Sequence, residues 1–251
     1  LAFVEFLGLL KLKGSPGWGA IRWILTGLAA CYLGSVAMVC AKHDSGMLQL
    51  LDSSILAVVV IITTVLLLFH PVNERGTKDM FFGSVFGFVY TVILSSFLLR
   101  VLYLGAGDND PGVAGQYYIL FLLVGTKFSD MGGYIVGSLI GRHKMIPHIS
   151  PGKTWEGFAG GLVVALLVAW CSAFWLGMSM GEAIRFMVLC GATAAASVLG
   201  DLTESLFKRR SGAKDSSSLL PGHGGVLDRV DSLCAAAPVF ALGLGLIGIT
   251  A

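Results

Sequence analysis

The chain has 251 residues, 55% of them hydrophobic and 13% charged, with a formal net charge of +2 and a mean hydropathy of +0.82. Soluble domains carry about 25% charged residues, so this composition excludes an ordinary water-soluble fold, whose surface it could not cover. The small net charge gives no basis for nucleic-acid binding. The five cysteines (Cys31, Cys40, Cys171, Cys190, Cys234) lie in apolar runs with no CxxC or Cys/His zinc spacing and read as small packing residues.

The first ten residues, Leu1 to Leu10, are mostly apolar but too short to cross a bilayer, which takes about 20. They lack the basic n-region and cleavage site of a signal peptide. They fit an interfacial helix or the end of a spanning helix. Seven long apolar runs follow, at 18–40, 54–69, 81–103, 117–140, 157–176, 183–207 and 230–251. An open backbone finds no partner in the bilayer core, so each run is expected to be a helix. The alternating ten-residue strands of a membrane barrel are absent from the sequence. The expected fold class is all-α, a polytopic integral membrane bundle of about seven spanning helices in one transmembrane domain over 1–251.

The basic residues are unevenly placed. Lys11, Lys13 and Arg22, then Arg75 and Lys78, then Arg142, Lys144 and Lys153, and then Lys208, Arg209, Arg210, Lys214 and Arg229 fall on one set of connections. The opposite set holds Lys42 alone, and 105–115 carries Asp108 and Asp110 with no basic residue. Basic connections face the cytoplasm. The expected localisation is therefore integral to a membrane of the cell inner membrane type, with the active site on the cytoplasmic side. Gly133, Gly137 and Gly141 recur every fourth residue, as do Gly157 and Gly161. That spacing lets helix backbones approach closely and is read as packing.

Charges inside spans are the informative anomaly, since a central one costs about 2.5–3.5 kcal/mol on insertion scales. Lys127 and Asp130 sit three apart in the fourth run and share a helix face, as an ion pair or as the wall of a polar cavity. Asp201, Glu204 and Lys208 form one polar stripe at the end of the sixth run, and Asp228 and Asp231 stand three apart at the start of the seventh. Acids converging at one membrane face repel each other unless a divalent cation relieves them, and hard oxygen donors favour magnesium shared with substrate phosphates. Helix N-terminal charge alone also accounts for Asp228 and Asp231. Between the two groups lie Lys208, Arg209 and Lys214, able to hold phosphates, then Pro221, Gly222, His223, Gly224 and Gly225. Such a loop lets backbone N–H groups approach an anion, and His223 adds a donor or titratable group. The triplet Gly152-Lys153-Thr154 is not a phosphate-binding P-loop. The glycine needed five residues before Gly152 is replaced by Pro147, and no strand is expected before it.

The segment from Ser205 to Asp231 resembles the signature of the phosphatidate cytidylyltransferases, S-x-x-K-R-x4-K-D-x5-L-P-G-H-G-G-x-x-D-R-x-D, with the spacer before the proline counted loosely. It supplies Ser205, Lys208, Arg209, Lys214, Asp215, Leu220, Pro221, Gly222, His223, Gly224, Gly225, Asp228, Arg229 and Asp231. Upstream, Ser150-Pro151-Gly152-Lys153-Thr154-Trp155-Glu156-Gly157 is similar to the family's S-P-x-K-[ST]-x-E-G, and Asp130 and Gly200-Asp201 stand where the family has an intramembrane aspartate and a G-D pair. The resemblance runs from about Phe128 to Pro238, with earlier residues matching in hydropathy alone. Ser217 and Ser218 stand where relatives often have Gly and a basic residue, a departure expected to loosen the loop's grip on phosphate. Relatives usually begin with further spanning helices before a segment like 5–13, so additional N-terminal helices are expected before Leu1.

The resemblance implies transfer of CMP from CTP to phosphatidic acid, giving CDP-diacylglycerol and pyrophosphate. On this reading Asp201, Asp228 and Asp231 hold Mg2+, with room for a second cation. Lys208, Arg209 and Lys214 neutralise the phosphates. Ser205, Gly222, Gly224 and Gly225 bind substrate with them, and Asp130, Lys153, Glu156, Asp215, His223 and Arg229 complete the catalytic set. The phosphatidate oxygen attacks the α-phosphorus in line and pyrophosphate leaves, with the protein acting by positioning and charge stabilisation. CTP, phosphatidic acid and the lipid bilayer are the implied partners, nucleic acid is not one, and a homodimer is allowed. Two other classes compete: a CTP-dependent polyprenol or lipid kinase, which would release CDP, and an ion-coupled transporter using Lys127, Asp130 and Asp201, which has no use for the 208–231 segment.

Overall fold

The computed structural model describes residues 1–10, 18–42, 45–68, 74–104, 113–212, 215–217, 219 and 224–247. Among them the chain is helical almost throughout, as the apolar runs require. The helices are α1 (Ala2–Leu9), α2 (Trp18–Cys40), α3 (Ser45–Leu68), α4 (Glu74–Phe88), a π-helical turn (Val89–Ile93), α5 (Leu94–Leu102), α6 (Val113–Ile140), α7 (Trp155–Trp175), α8 (Met180–Ser211) and α9 (Leu227–Leu246). Seven helical stretches among the described residues are long and apolar enough to cross a bilayer, the third running unbroken from Phe81 to Leu102. The chain is a polytopic helical membrane protein. Its backbone contacts divide it into two compact units, 1–100 with 207–230 and 101–206 with 231–251.

In the first unit, α1 is a buried helix of eight residues. Its ring residues explain why so short a helix holds its place. Phe3 meets Phe88 edge-on at 5.5 Å, and Phe6, wholly buried, lies 5.0 Å from Phe207 and 6.1 Å from Phe86. Gly87 leaves the space that the Phe6 ring fills. The second spanning helix starts nine residues before the expected 54, because Asp52 does not end it. Arg100 Nη2 lies 2.6 Å from Asp52 Oδ1, and the Tyr32 hydroxyl donates to the same oxygen at 2.7 Å. Neutralised in this way, the aspartate is carried inside α3.

In the second unit, α6 and α7 pack closely. A Cβ on Gly157 would stand 2.7 Å from the Gly133 carbonyl oxygen, and one on Gly161 would stand 2.7 Å from that of Ser129. The repeated glycines therefore pack helices, as their spacing indicated. Before α7 comes a small antiparallel hairpin, β1 (Lys144–Ile146) with β2 (Ser150–Thr154), pairing Lys144 with Thr154 and Ile146 with Ser150. This corrects the expectation that no strand precedes the Gly152-Lys153-Thr154 triplet, which itself lies in β2. The hairpin was not legible because its strands are too short for an apolar alternation and hold Pro151 and Gly152. Pro147 still occupies the position where a P-loop needs glycine. Thr154 ends the hairpin and caps α7, its Oγ1 accepting the Gly157 N–H at 3.1 Å.

Candidate active site

The described site residues expected from the sequence fall in both units. In the second unit, α8 places Asp201 and Glu204 about one turn apart on a single face. With Asp231 of α9 they bring one carboxylate oxygen each to within 4.8 Å of one another. Gly200 permits this approach: a Cβ there would lie 2.5 Å from the Asp231 carbonyl oxygen. Glu204 and Asp231 are buried, at 1% and 7% exposure, while Asp201 is half-buried. Ionised carboxylates at such separations repel by about 3–4 kcal/mol per pair at an effective dielectric near 20. Positive charge must answer them. Lys153, at the end of β2, supplies part of it, its Nζ standing 2.6 Å from Asp201 Oδ2 and donating to the Val198 carbonyl at 3.2 Å. Three hard carboxylate donors are also a donor set suited to magnesium, so the residues fit the expected cation.

Two further predicted residues lie in this unit. Asp130 on α6 accepts from the Ser197 hydroxyl at 3.4 Å, and the charges of Lys127, Asp201 and Lys153 act on it. Glu156, in the first turn of α7, accepts from the His143 backbone N–H at 3.2 Å and pairs with His143 Nδ1 at 2.5 Å. It therefore clamps the base of the hairpin that carries Lys153. Ser205 is half-buried on α8.

In the first unit, Lys208 and Asp228 form an ion pair of 3.0 Å, both largely buried. Asp228 lies in the first turn of α9, where negative charge suits the helix dipole. Its Oδ2 accepts from Gly225 N at 2.7 Å, Ser216 Oγ at 3.0 Å and Ser216 N at 3.1 Å. Gly224 has a φ of +79°, and a Cβ there would stand 2.5 Å from Asp228 Oδ2, so both backbone and space demand glycine. Arg209, Asp215 and Arg229 are exposed. Lys214, Pro221, Gly222 and His223 lie outside the described residues, as does Ser218.

The acid that joins Asp201 and Asp231 is thus Glu204, and Asp228 is engaged by Lys208, Ser216 and Gly225. Glu204 was legible as part of the α8 stripe, three residues from Asp201, yet it was not among the expected metal ligands. Glu5 was missed altogether. Its buried carboxylate accepts from Leu227 N at 2.7 Å, Val226 N at 3.1 Å and Ser217 Oγ at 2.7 Å, with Ser216 Oγ 3.3 Å away. A lone carboxylate among the apolar residues of α1 was the available signal.

The chain matches the model of the Cytidylyltransferase family over residues 1–247. It is 41% identical over 180 residues to the phosphatidate cytidylyltransferase of Haemophilus influenzae, covering 70% of this chain and 62% of that protein. To the protein of the same name from Pseudomonas aeruginosa it is 47% identical over 123 residues, covering 49% of this chain and 45% of the relative. To that of Staphylococcus aureus it is 31% identical over 246 residues, covering 95% and 87%. The chain therefore spans less than two thirds of the first two relatives. The family match extends from residue 1, beyond the stretch from Phe128 to Pro238 that carries the motifs. The earlier helices carry few polar landmarks, and hydropathy alone hid their relationship.

Proposed function

Since the chain belongs to the Cytidylyltransferase family, we propose that it transfers CMP from CTP to phosphatidic acid, forming CDP-diacylglycerol and releasing pyrophosphate. The observation that carries this reading is the convergence of Asp201, Glu204 and Asp231 beside Lys153. Asp201, Glu204 and Asp231 would hold magnesium, which when bound neutralises the triphosphate and the departing pyrophosphate. Lys153 orients Asp201 and keeps a positive charge beside the carboxylates. Asp130 extends the polar wall on α6. Glu156 holds the hairpin so that Lys153 stays in place.

Lys208 and Arg209, with Lys214, offer cationic groups to phosphate oxygens. Asp228 orients Lys208 and holds Gly225 through its backbone N–H. The reaction needs no protein nucleophile. A phosphatidate oxygen forms the new bond to the α-phosphorus as the α–β P–O bond breaks, and the electron pair leaves with pyrophosphate. The uneven spread of basic residues supports a cytoplasmic side for this chemistry, where CTP would be available, while the acyl chains would stay in the bilayer.

The test is pyrophosphate release by purified protein given CTP, phosphatidate and magnesium, beside Asp201→Asn. Release that needs all three components and is lost in the variant supports the reading. Folded protein that releases CDP instead, or neither product, overturns it.

A further inference from the structure

We propose that Glu5 is a positioning residue that holds both ends of the signature segment 216–227 for the reaction; this rests on the cytidylyl-transfer reading. Glu5 is 9% exposed on a helix that is otherwise apolar over Phe3, Phe6, Leu7 and Leu9. Burying a carboxylate there is costly unless its oxygens are fully hydrogen-bonded. Its three donors come from two places more than 200 residues away: the Ser217 hydroxyl at 2.7 Å, and the Val226 and Leu227 backbone N–H groups at 3.1 and 2.7 Å. The Ser216 hydroxyl, 3.3 Å away, has one proton and lies closer to Asp228. The two amides open α9, where the helix dipole favours an anion.

The tie reaches groups assigned to phosphate. Ser216 Oγ lies within hydrogen-bond distance of both Glu5 Oε2 and Asp228 Oδ2, and Asp228 pairs with Lys208 Nζ. On the same helix as Glu5, Phe6 packs against Phe207, the neighbour of Lys208. A Cβ on Gly225 would stand 2.5 Å from Glu5 Oε2, so Gly225 is fitted against this carboxylate. Ser217, a departure from the family pattern, is one of its donors. Its hydroxyl fastens this end of the segment to Glu5.

The experiment compares full-length wild type with Glu5→Gln and Glu5→Asp. It uses steady-state kinetics with CTP and phosphatidate, and amide hydrogen exchange at Val226 and Leu227. Glu5→Gln turns one acceptor into a donor facing donors. The expected result is a rise of about tenfold in KM for CTP with a smaller change in kcat, substantial recovery in Glu5→Asp, and exchange about tenfold faster at Val226 and Leu227 with α6 and α7 unchanged. Wild-type kinetics in Glu5→Gln, unchanged exchange at the two amides, or faster exchange spread evenly over α6 and α7 would overturn the proposal. If wild type itself releases no pyrophosphate, the transfer reading and the kinetic role fall together, while the exchange data still report whether Glu5 holds the segment.

Discussion

Lys153 Nζ lies 2.6 Å from Asp201 Oδ2, joining the β-hairpin to the carboxylate group of α8 and α9. On the proposed reading, this lysine and a magnesium ion would compete for the same aspartate. Lys153→Met should therefore lower the half-saturating magnesium concentration while reducing kcat by about a hundredfold through loss of fixed positive charge. Magnesium titrations of initial rate check both parts. A lower kcat with a higher magnesium requirement would count against the pairing.

Glu204 should reveal itself through the metal dependence. Glu204→Gln keeps the shape and removes one charge from the three carboxylates. The half-saturating magnesium concentration should rise by about tenfold or more, with partial recovery of rate at high magnesium. A rate loss that magnesium does not relieve would contradict a ligand role.

The α6–α7 contact makes two glycines unequal. Gly157→Ala sets a Cβ 2.7 Å from the Gly133 carbonyl oxygen, whereas a Cβ on Gly34 of α2 meets nothing within 4 Å. Gly157→Ala should destabilise by about 1–3 kcal/mol through overpacking, and Gly34→Ala should leave the unfolding midpoint unchanged or raised. Thermal unfolding in one detergent compares them.

Asp52 and Arg100 form a largely buried pair with Tyr32. Removing one partner strands the other, so Arg100→Leu should destabilise by about 2–3 kcal/mol, and the double variant Asp52→Leu/Arg100→Leu by less. A double-mutant cycle on the unfolding midpoint measures this. Additive losses would show that the pair is not coupled.

The spanning helices were legible because 20-residue apolar runs have one solution in a bilayer. The glycine contacts were legible because their period matches a helix face. Asp201 and Asp231 were legible as polar residues in apolar runs within a dense motif, and the structure brings them together. The rest depended on partners distant in sequence. Asp52 stops a hydropathy run unless Arg100, 48 residues on, is known to neutralise it. The link from Glu5 to Leu227 spans 222 positions and leaves no local pattern. The 144–154 hairpin is held by backbone pairing and by Glu156 on His143, neither of which writes a periodicity into its residues.

The most direct measurement follows the α-phosphate of CTP. Purified protein is given CTP labelled at that phosphorus, with phosphatidate and magnesium, and the organic phase is counted beside an Asp231→Asn control. Label entering the lipid in step with pyrophosphate release, and lost in the variant, is the predicted result. Label that stays in the aqueous phase as CDP, or lipid labelling that Asp231→Asn leaves intact, would contradict it.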